Sequence, residues 1–218
     1  MRSHHASGFL RGNRVTMRGA GSSNPQGNGA AAADAELVLR AKQGDSEAFG
    51  ELVMRHERAM LAIARAHFAE EEDARDAVQD AFLKAFRSLE GLNDGRRFAA
   101  WLASITANTC RDILRVRTDK VSLTDFSSTA RLRPRLGQED LTPASLTRKG
   151  EDAELLRIAI GRLPEEQRVV LMLRYVEHMT YETMAGYLDL PASTVRGRLY
   201  HAKQALREML KRHIAPAE

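Results

Sequence analysis

Arg196, Gly197, Tyr200 and His201 fall at i, i+1, i+4 and i+5, so they share one side of any helix that contains them. Together they offer a guanidinium, a gap with no side chain, a phenol and an imidazole. Val195, Leu199, Ala202 and Leu206 recur at helical spacing on the opposite side and are apolar. Thr194, Arg198 and Lys203 flank the polar side with a hydroxyl and two cations suited to phosphate oxygens, and Arg207, Lys211 and Arg212 continue the positive charge. A helix that buries one stripe and presents small, polar and basic groups on the other can enter a DNA major groove. An ordinary amphipathic surface helix with a solvated charged face is the alternative that this stretch alone leaves open.

Two further sets carry chemistry. Asp76, Gln79 and Asp80 lie at i, i+3 and i+4, a pair of carboxylates with an amide between them. Such a face accepts hydrogen bonds from an arginine-bearing partner, or is simply solvated. Downstream the charge reverses: Arg96, Arg97, Arg111, Arg115 and Arg117 stand against Asp112 alone. Within that basic stretch, Phe98 and Trp101 are either core aromatics or a stacking platform for unpaired bases. Asn108 carries a donor and an acceptor that can read a base edge.

The elements that must hold these groups are helical throughout. A short helix is expected over Ala35–Gln43, closed by Gly44. Asp45 then caps a longer helix to about Phe68, with Phe49, Leu52, Val53, Leu61 and Ile63 facing inwards. A third helix, Asp73 to Leu89, would bury Val78, Ala81, Phe82, Ala85, Phe86 and Leu89. The turn residues Gly91, Asn93, Asp94 and Gly95 lead to a fourth helix over residues 98–117. Patterning resumes with a helix over Ala153–Arg162. The next has Pro164 near its first position and runs to about Glu177. Thr180 can cap a short helix that buries Met184, Ala185 and Leu188. The turn Asp189-Leu190-Pro191 then enters the helix of Arg196. Helix, tight turn and basic-faced helix make a helix-turn-helix.

Composition bounds the rest. The chain has 218 residues, 6% aromatic and 28% charged, with net charge +4, which suits one or two small helical domains. Residues 1–33 are rich in Gly, Ser, Asn and Ala, carry Arg2, Arg11, Arg14 and Arg18, and have no acid before Asp34. They are expected to be a disordered tail, with Met17 a possible alternative start. An organellar transit peptide is the other reading of an arginine-rich start, but it lacks an amphipathic stripe. Residues 118–150 lose all periodicity and read as an interdomain linker. Cys110 is the only cysteine, which excludes an internal disulfide and fits a reducing cytoplasm; its mid-helix position points to buried packing. No apolar run reaches the roughly 20 residues of a membrane span. There is no HExxH, Walker loop, paired cysteine or GxSxG, so no catalysis, metal or cofactor is expected.

Three stretches in one order carry a resemblance: RDAVQDAFLKAFRSL, then FAAWLASITANTCRDILR, then LPEEQRVVLMLRYVEHMTYETMAGYLDLPASTVRGRLYHAKQALR. They resemble a bacterial RNA polymerase sigma factor of the sigma-70 family, in its extracytoplasmic-function (ECF) group. The resemblance covers residues 34–117 and 151–212. It implies an all-α chain of two small helical domains. Region 2, residues 34–117, would bind core RNA polymerase and recognise and melt the minus-10 element. Region 4, the helix-turn-helix of residues 151–213, would read the minus-35 element. A linker of the length of 118–150 suits the ECF group better than a housekeeping factor with a third domain.

The family's acid, Gln, acid pattern matches Asp76, Gln79 and Asp80, which implies a core-polymerase contact. Gly91–Arg97 matches its pocket for a flipped minus-10 base, Asn108 a position bordering that DNA, and Arg196, Gly197, Tyr200 and His201 its base-reading positions. Arg96, Arg97, Trp101, Asn108 and Arg111 are therefore the expected minus-10 contacts, and Thr194, Arg198 and Lys203 the expected phosphate contacts. The chain departs from the family at Ala107, Gly197 and His201, where many relatives have a basic or aliphatic residue, a hydroxyl and an arginine, so no promoter sequence transfers. The implied partners are core polymerase, duplex and melted promoter DNA, and an anti-sigma factor, in the cytoplasm and without membrane insertion. A repressor or activator working without core polymerase would explain the last helix but neither the acidic trio nor the aromatic, basic fourth helix.

Overall fold

A computed structural model describes residues 25–124 and 148–214. Expectations for residues 1–24, including the disordered tail and Met17, and for the linker over 125–147 lie outside the described residues. Helices α1 (Pro25–Lys42), α2 (Ser46–Arg65), α3 (Glu71–Ser88) and α4 (Phe98–Thr124) form the first domain. Helices α5 (Arg148–Gly161), α6 (Glu165–Leu171), α7 (Tyr181–Leu188) and α8 (Ala192–Ile214) form the second. No strand occurs among the described residues.

Local chemistry accounts for most boundaries. The Asp45 carboxylate accepts from the Ala48 amide at 3.1 Å and caps α2 as expected. Thr180 accepts from the Thr183 amide at 3.1 Å and caps α7 in the same way. Asp189 closes α7 in the left-handed region, φ 52°, a conformation that a short polar side chain tolerates. The Pro191 carbonyl then accepts from the Thr194 and Val195 amides and starts α8.

Several boundaries differ from expectation. Helix α1 begins at Pro25, not at Ala35, so residues 25–33 are helical. Proline suits a first helical position, and Ala30 to Ala33 are strong helix formers. Helix α4 passes residue 117 and ends at Thr124, because no Gly or Pro interrupts it. Helix α3 begins two residues earlier than expected, at Glu71. Pro164 is the cap of α6 and not its first residue. That helix ends at Leu171 and widens into a π-helical turn, Met172–Val176.

The apolar stripes meet in one continuous core that runs through both domains. Phe98, Leu52, Met60, Ile63, Leu102, Leu173, Met184, Val195 and Leu199 are fully buried within it. Cys110 is buried there too, and burial pushes its thiol up to about 12, an inert packing group. Phe86 does not join the core. It is 52% exposed and meets Phe49 edge-on, ring centroids 5.0 Å apart. Phe49, Val53 and Leu61 are only half-buried, because the space between α2 and α3 on this side is an open groove of about 510 Å³.

Candidate nucleic-acid interface

On α3, Asp76, Gln79 and Asp80 are all exposed. Gln79 lies on the rim of the α2–α3 groove, whose walls include Phe49, Val53, Leu61, Phe82 and Leu83. A face of two carboxylates and an amide thus borders an apolar trough. One turn earlier, Asp73 takes a bidentate ion pair from Arg117 at 2.6 Å, which fixes α3 against α4. That pairing holds the Asp73 carboxyl below the usual range.

The loop before α4 is pinned from behind. Lys42 donates to the Leu92 carbonyl at 2.7 Å and the Glu90 carbonyl at 3.2 Å. Gly95 sits so close to α1 that a Cβ there would lie 2.8 Å from the Ala35 Cα. Only glycine permits that approach. It sets the positions of Arg96 and Arg97. Arg96 is exposed, and its backbone amide and side chain both donate to Asp94, which lowers the pKa of that carboxyl. Along α4, Trp101, Ser104, Asn108 and Arg111 recur at intervals of three and four and share one face. Phe98 is fully buried and is a core residue. Trp101, with its ring centroid 5.9 Å from that of Phe98, is half-buried and keeps part of its surface open. Asn108 and Arg111 are exposed.

On α8, Arg196, Tyr200 and His201 project from the surface while Val195, Leu199 and Ala202 are buried. Tyr200 and His201 meet edge-on at 5.6 Å, and Gln204 donates to the Tyr200 hydroxyl at 3.0 Å. A Cβ on Gly197 would meet nothing within 4 Å, so the gap between them opens to solvent. The three expected phosphate contacts part company. Thr194 is exposed. Arg198 is drawn to Glu166 on α6 at 2.7 Å. Lys203 lines a second apolar groove, about 420 Å³, with Leu156, Ile160, Met172, Tyr175 and Leu206.

Sequence reasoning missed Tyr181. The Arg196 guanidinium lies 5.7 Å from the centre of its ring, and Arg174 lies 5.3 Å from the same ring. Arg174 is itself held by donation to the Met179 carbonyl at 2.6 Å. An aromatic face on the preceding helix therefore holds the guanidinium of Arg196 on α8.

Also missed were the buried polar groups between the domains. His56 Nε2 lies 2.9 Å from Asp34 and its Nδ1 lies 2.8 Å from the Tyr187 hydroxyl. A carboxylate only accepts, so Nε2–H donates to Asp34, and with the hydrogen on Nε2 the ring Nδ1 accepts from the Tyr187 hydroxyl. Burial, and then the charge of Asp34, push the Tyr187 phenol up to about 12. Arg168 is also buried and donates to the carbonyls of Ala66 and Leu163, each at 2.6 Å. His67, buried beside it, is pushed down to about 4 by burial and by the positive charges of Arg168 and Arg111, so it is neutral. One signal was legible: His56 and Arg168 interrupt apolar stripes, and groups so placed are buried only with partners.

Comparison with known proteins places the chain in a family. The family descriptions "Sigma-70 region 2" and "Sigma-70, region 4" match residues 52–119 and 153–206. The chain is 30% identical over 181 residues to the ECF RNA polymerase sigma-E factor of Escherichia coli (strain K12), covering 79% of this chain and 92% of that protein. It is 30% identical over 187 residues to the protein of the same name from Haemophilus influenzae, covering 84% and 96%. The solved structure of CnrH in complex with the cytosolic domain of CnrY superposes with a TM-score of 0.54 at 29% identity, covering 82% of this chain and 97% of that one. The sigma factor RpoE in complex with the anti-sigma factor NepR from Bartonella quintana gives 0.50 at 25% identity, covering 75% and 96%. The chain belongs to the ECF sigma factors of the sigma-70 family, which bind core RNA polymerase and direct it to promoters to initiate transcription.

Proposed function

We propose that this sigma factor divides its work among three faces. Asp76, Gln79 and Asp80 on α3 hold core RNA polymerase. Arg96, Arg97, Trp101, Asn108 and Arg111 receive the unpaired minus-10 strand. Arg196, Gly197, Tyr200 and His201 read the minus-35 duplex, with Thr194, Arg198 and Lys203 towards its phosphates. The observation that carries the reading is the separation of charge. The acidic face borders an apolar trough, as a protein contact requires, while the other two present cations, an aromatic and amides, as nucleic acid requires.

Domain limits follow the same division: region 2 within residues 34–117, extended at both ends by helix, and region 4 within 151–213. The protein does no covalent chemistry. An Asp–His–hydroxyl chain does exist in Asp34, His56 and Tyr187, but its phenol is held protonated and lines neither groove. It acts in the cytoplasm beside the polymerase, and no helix among the described residues is long and apolar enough to cross a membrane. An anti-sigma factor holds it inactive. Two solved relatives carry partners, the cytosolic domain of CnrY and NepR, and the α2–α3 trough offers an amphipathic helix an apolar seat.

The test reverses charge on α3. Asp76→Arg with Asp80→Arg is expected to abolish retention of the protein by immobilised core polymerase and to abolish promoter-dependent transcripts, with an unchanged circular dichroism spectrum. Undiminished retention would remove the polymerase from this face.

A further inference from the structure

We propose that Gln204 and Arg207 fix the polarity of the Tyr200 hydroxyl, so that Tyr200 meets the minus-35 duplex as a hydrogen-bond donor and selects guanine or thymine over adenine or cytosine on the strand it faces. The proposal rests on the base-reading assignment of α8 made above and adds the chemistry that one of its residues recognises.

Tyr200, Gln204 and Arg207 stand at i, i+4 and i+7 on α8, so their side chains are neighbours along one side of the helix. Gln204 Nε2 donates to the Tyr200 hydroxyl at 3.0 Å. The Arg207 guanidinium donates to Gln204 Oε1 at 3.5 Å. The second bond is long, yet it decides which way the amide is turned. A guanidinium only donates, so the amide atom beside it is the oxygen and the amide nitrogen is left for Tyr200. The opposite orientation would set an NH2 group against a cation.

A phenol carries one hydrogen. Having accepted from Gln204, the Tyr200 oxygen keeps that hydrogen for a partner on its other side. Among the described residues none takes it: Tyr200 is 56% exposed, and His201 meets it edge-on through the rings. Gly197, one turn earlier, sets no side chain beside the phenol. The hydroxyl thus stands open to an incoming surface with its hydrogen outwards. Each bond in the series from cation to amide to phenol polarises the next.

A major groove answers such a donor unequally. Guanine and thymine present a carbonyl oxygen there, where cytosine and adenine present an amino group. A fixed donor forms a bond with the first kind and sets hydrogen against hydrogen with the second. Every base pair carries one carbonyl and one amino group, so the choice is of strand: G·C and T·A over C·G and A·T at one position. A single donor does not separate guanine from thymine. A phenol with no fixed neighbour would turn its hydrogen either way and read neither, so Gln204 is the positioning residue of this choice.

The experiment uses the full chain with core polymerase on a template library whose minus-35 element is randomised, each transcript carrying a barcode for its template. In the wild type, one position is expected to favour guanine and thymine by about threefold to tenfold, the range that one neutral hydrogen bond sustains. Tyr200→Phe should erase that preference and leave the other positions as they are. Gln204→Glu should invert it towards adenine and cytosine. A carboxylate only accepts, so it takes the phenolic hydrogen and turns an oxygen lone pair to the groove. Its negative charge lowers output on every template alike, so the base ratio is the readout. Gln204→Lys should keep the preference, because an ammonium only donates. A preference lost in Tyr200→Phe but unmoved in Gln204→Glu overturns the fixed polarity and leaves Tyr200 a base reader. A uniform loss across all templates in Tyr200→Phe overturns the proposal by making the hydroxyl a phosphate contact. If Arg196→Ala relaxes a position and Tyr200→Phe relaxes none, the proposal fails while α8 keeps its assignment. If neither variant changes any position, the assignment of α8 fails with it.

Discussion

The two cationic faces of this molecule are built from similar materials and left in different states. On α8, Arg196, Tyr200 and His201 project into solvent from a helix whose other side is the core of its own domain. On α4, Arg97 and Arg111 are engaged by Asp189 and Glu165 of the other domain, and Trp101 is half-buried. The difference follows from what packs on each helix: α7 lies against α4, with Glu165 and Asp189 beside Arg111 and Arg97, whereas among the described residues nothing covers the polar side of α8. On the assignment proposed above, the duplex-reading face stands open and the strand-binding face is partly covered.

The largest expected effect separates two aromatics three residues apart. Phe98 is fully buried and Trp101 is not. Phe98→Ala should cost about 3–5 kcal/mol of stability in chemical denaturation. Trp101→Ala should cost clearly less stability but weaken binding of a single-stranded oligonucleotide by about 1–3 kcal/mol. Equal losses of stability would make both residues core and remove the stacking platform.

The second prediction sharpens the covered side. His67 is held neutral, near 4 against an ordinary value of 6.5. The unfolded chain therefore takes up a proton at His67 before the folded chain does. Stability from this group is complete above about pH 6.5 and lost as pH falls towards 4. The loss between pH 7 and pH 5 should be on the order of 2 kcal/mol in urea titrations, and His67→Leu should flatten it. The carboxylates of Asp45, Glu71 and Asp73 are lowered by arginine or backbone donors. They add a loss of the same sign at lower pH. An unchanged urea midpoint from pH 7 to pH 5 would contradict a buried, neutral His67.

The third concerns the open side. Arg196→Ala should relax preference at one minus-35 base pair at a cost of about 1–3 kcal/mol. Tyr181→Leu should relax the same position by a smaller amount, and Tyr181→Phe should keep the preference because the ring remains. A uniform loss across all sequences would make Arg196 a phosphate contact. The smallest effect is at Gly197. Its Cβ would meet open space within a helix, so Gly197→Ala should raise stability by about 0.5–1 kcal/mol. A decrease would show a close neighbour at that point.

How far the sequence reveals this follows from what periodicity reports. A stripe says that a face is buried, and caps such as Asp45 and Thr180 say where a helix starts, because both depend on neighbours along the chain. The opposite stripes of α8 were legible for that reason, and so were the exposed Asp76, Gln79 and Asp80. A stripe does not say what covers it. Phe86 lies on the apolar side of α3 yet faces an open trough. His56 and Tyr187 are 131 residues apart and meet only through tertiary packing. The pairing of Arg196 with Tyr181 depends on the turn between α7 and α8 and is invisible to residue spacing.

The role of the whole molecule is tested most directly by sequencing the transcripts that the protein and core RNA polymerase make together from genomic DNA of its own organism. New start sites that share a two-part upstream element are expected, absent with core enzyme alone and lost with Asp76→Arg, Asp80→Arg. Arg196→Ala is expected to redistribute those starts by loosening one position of the upstream part. Transcripts no different from those of core enzyme alone would contradict it.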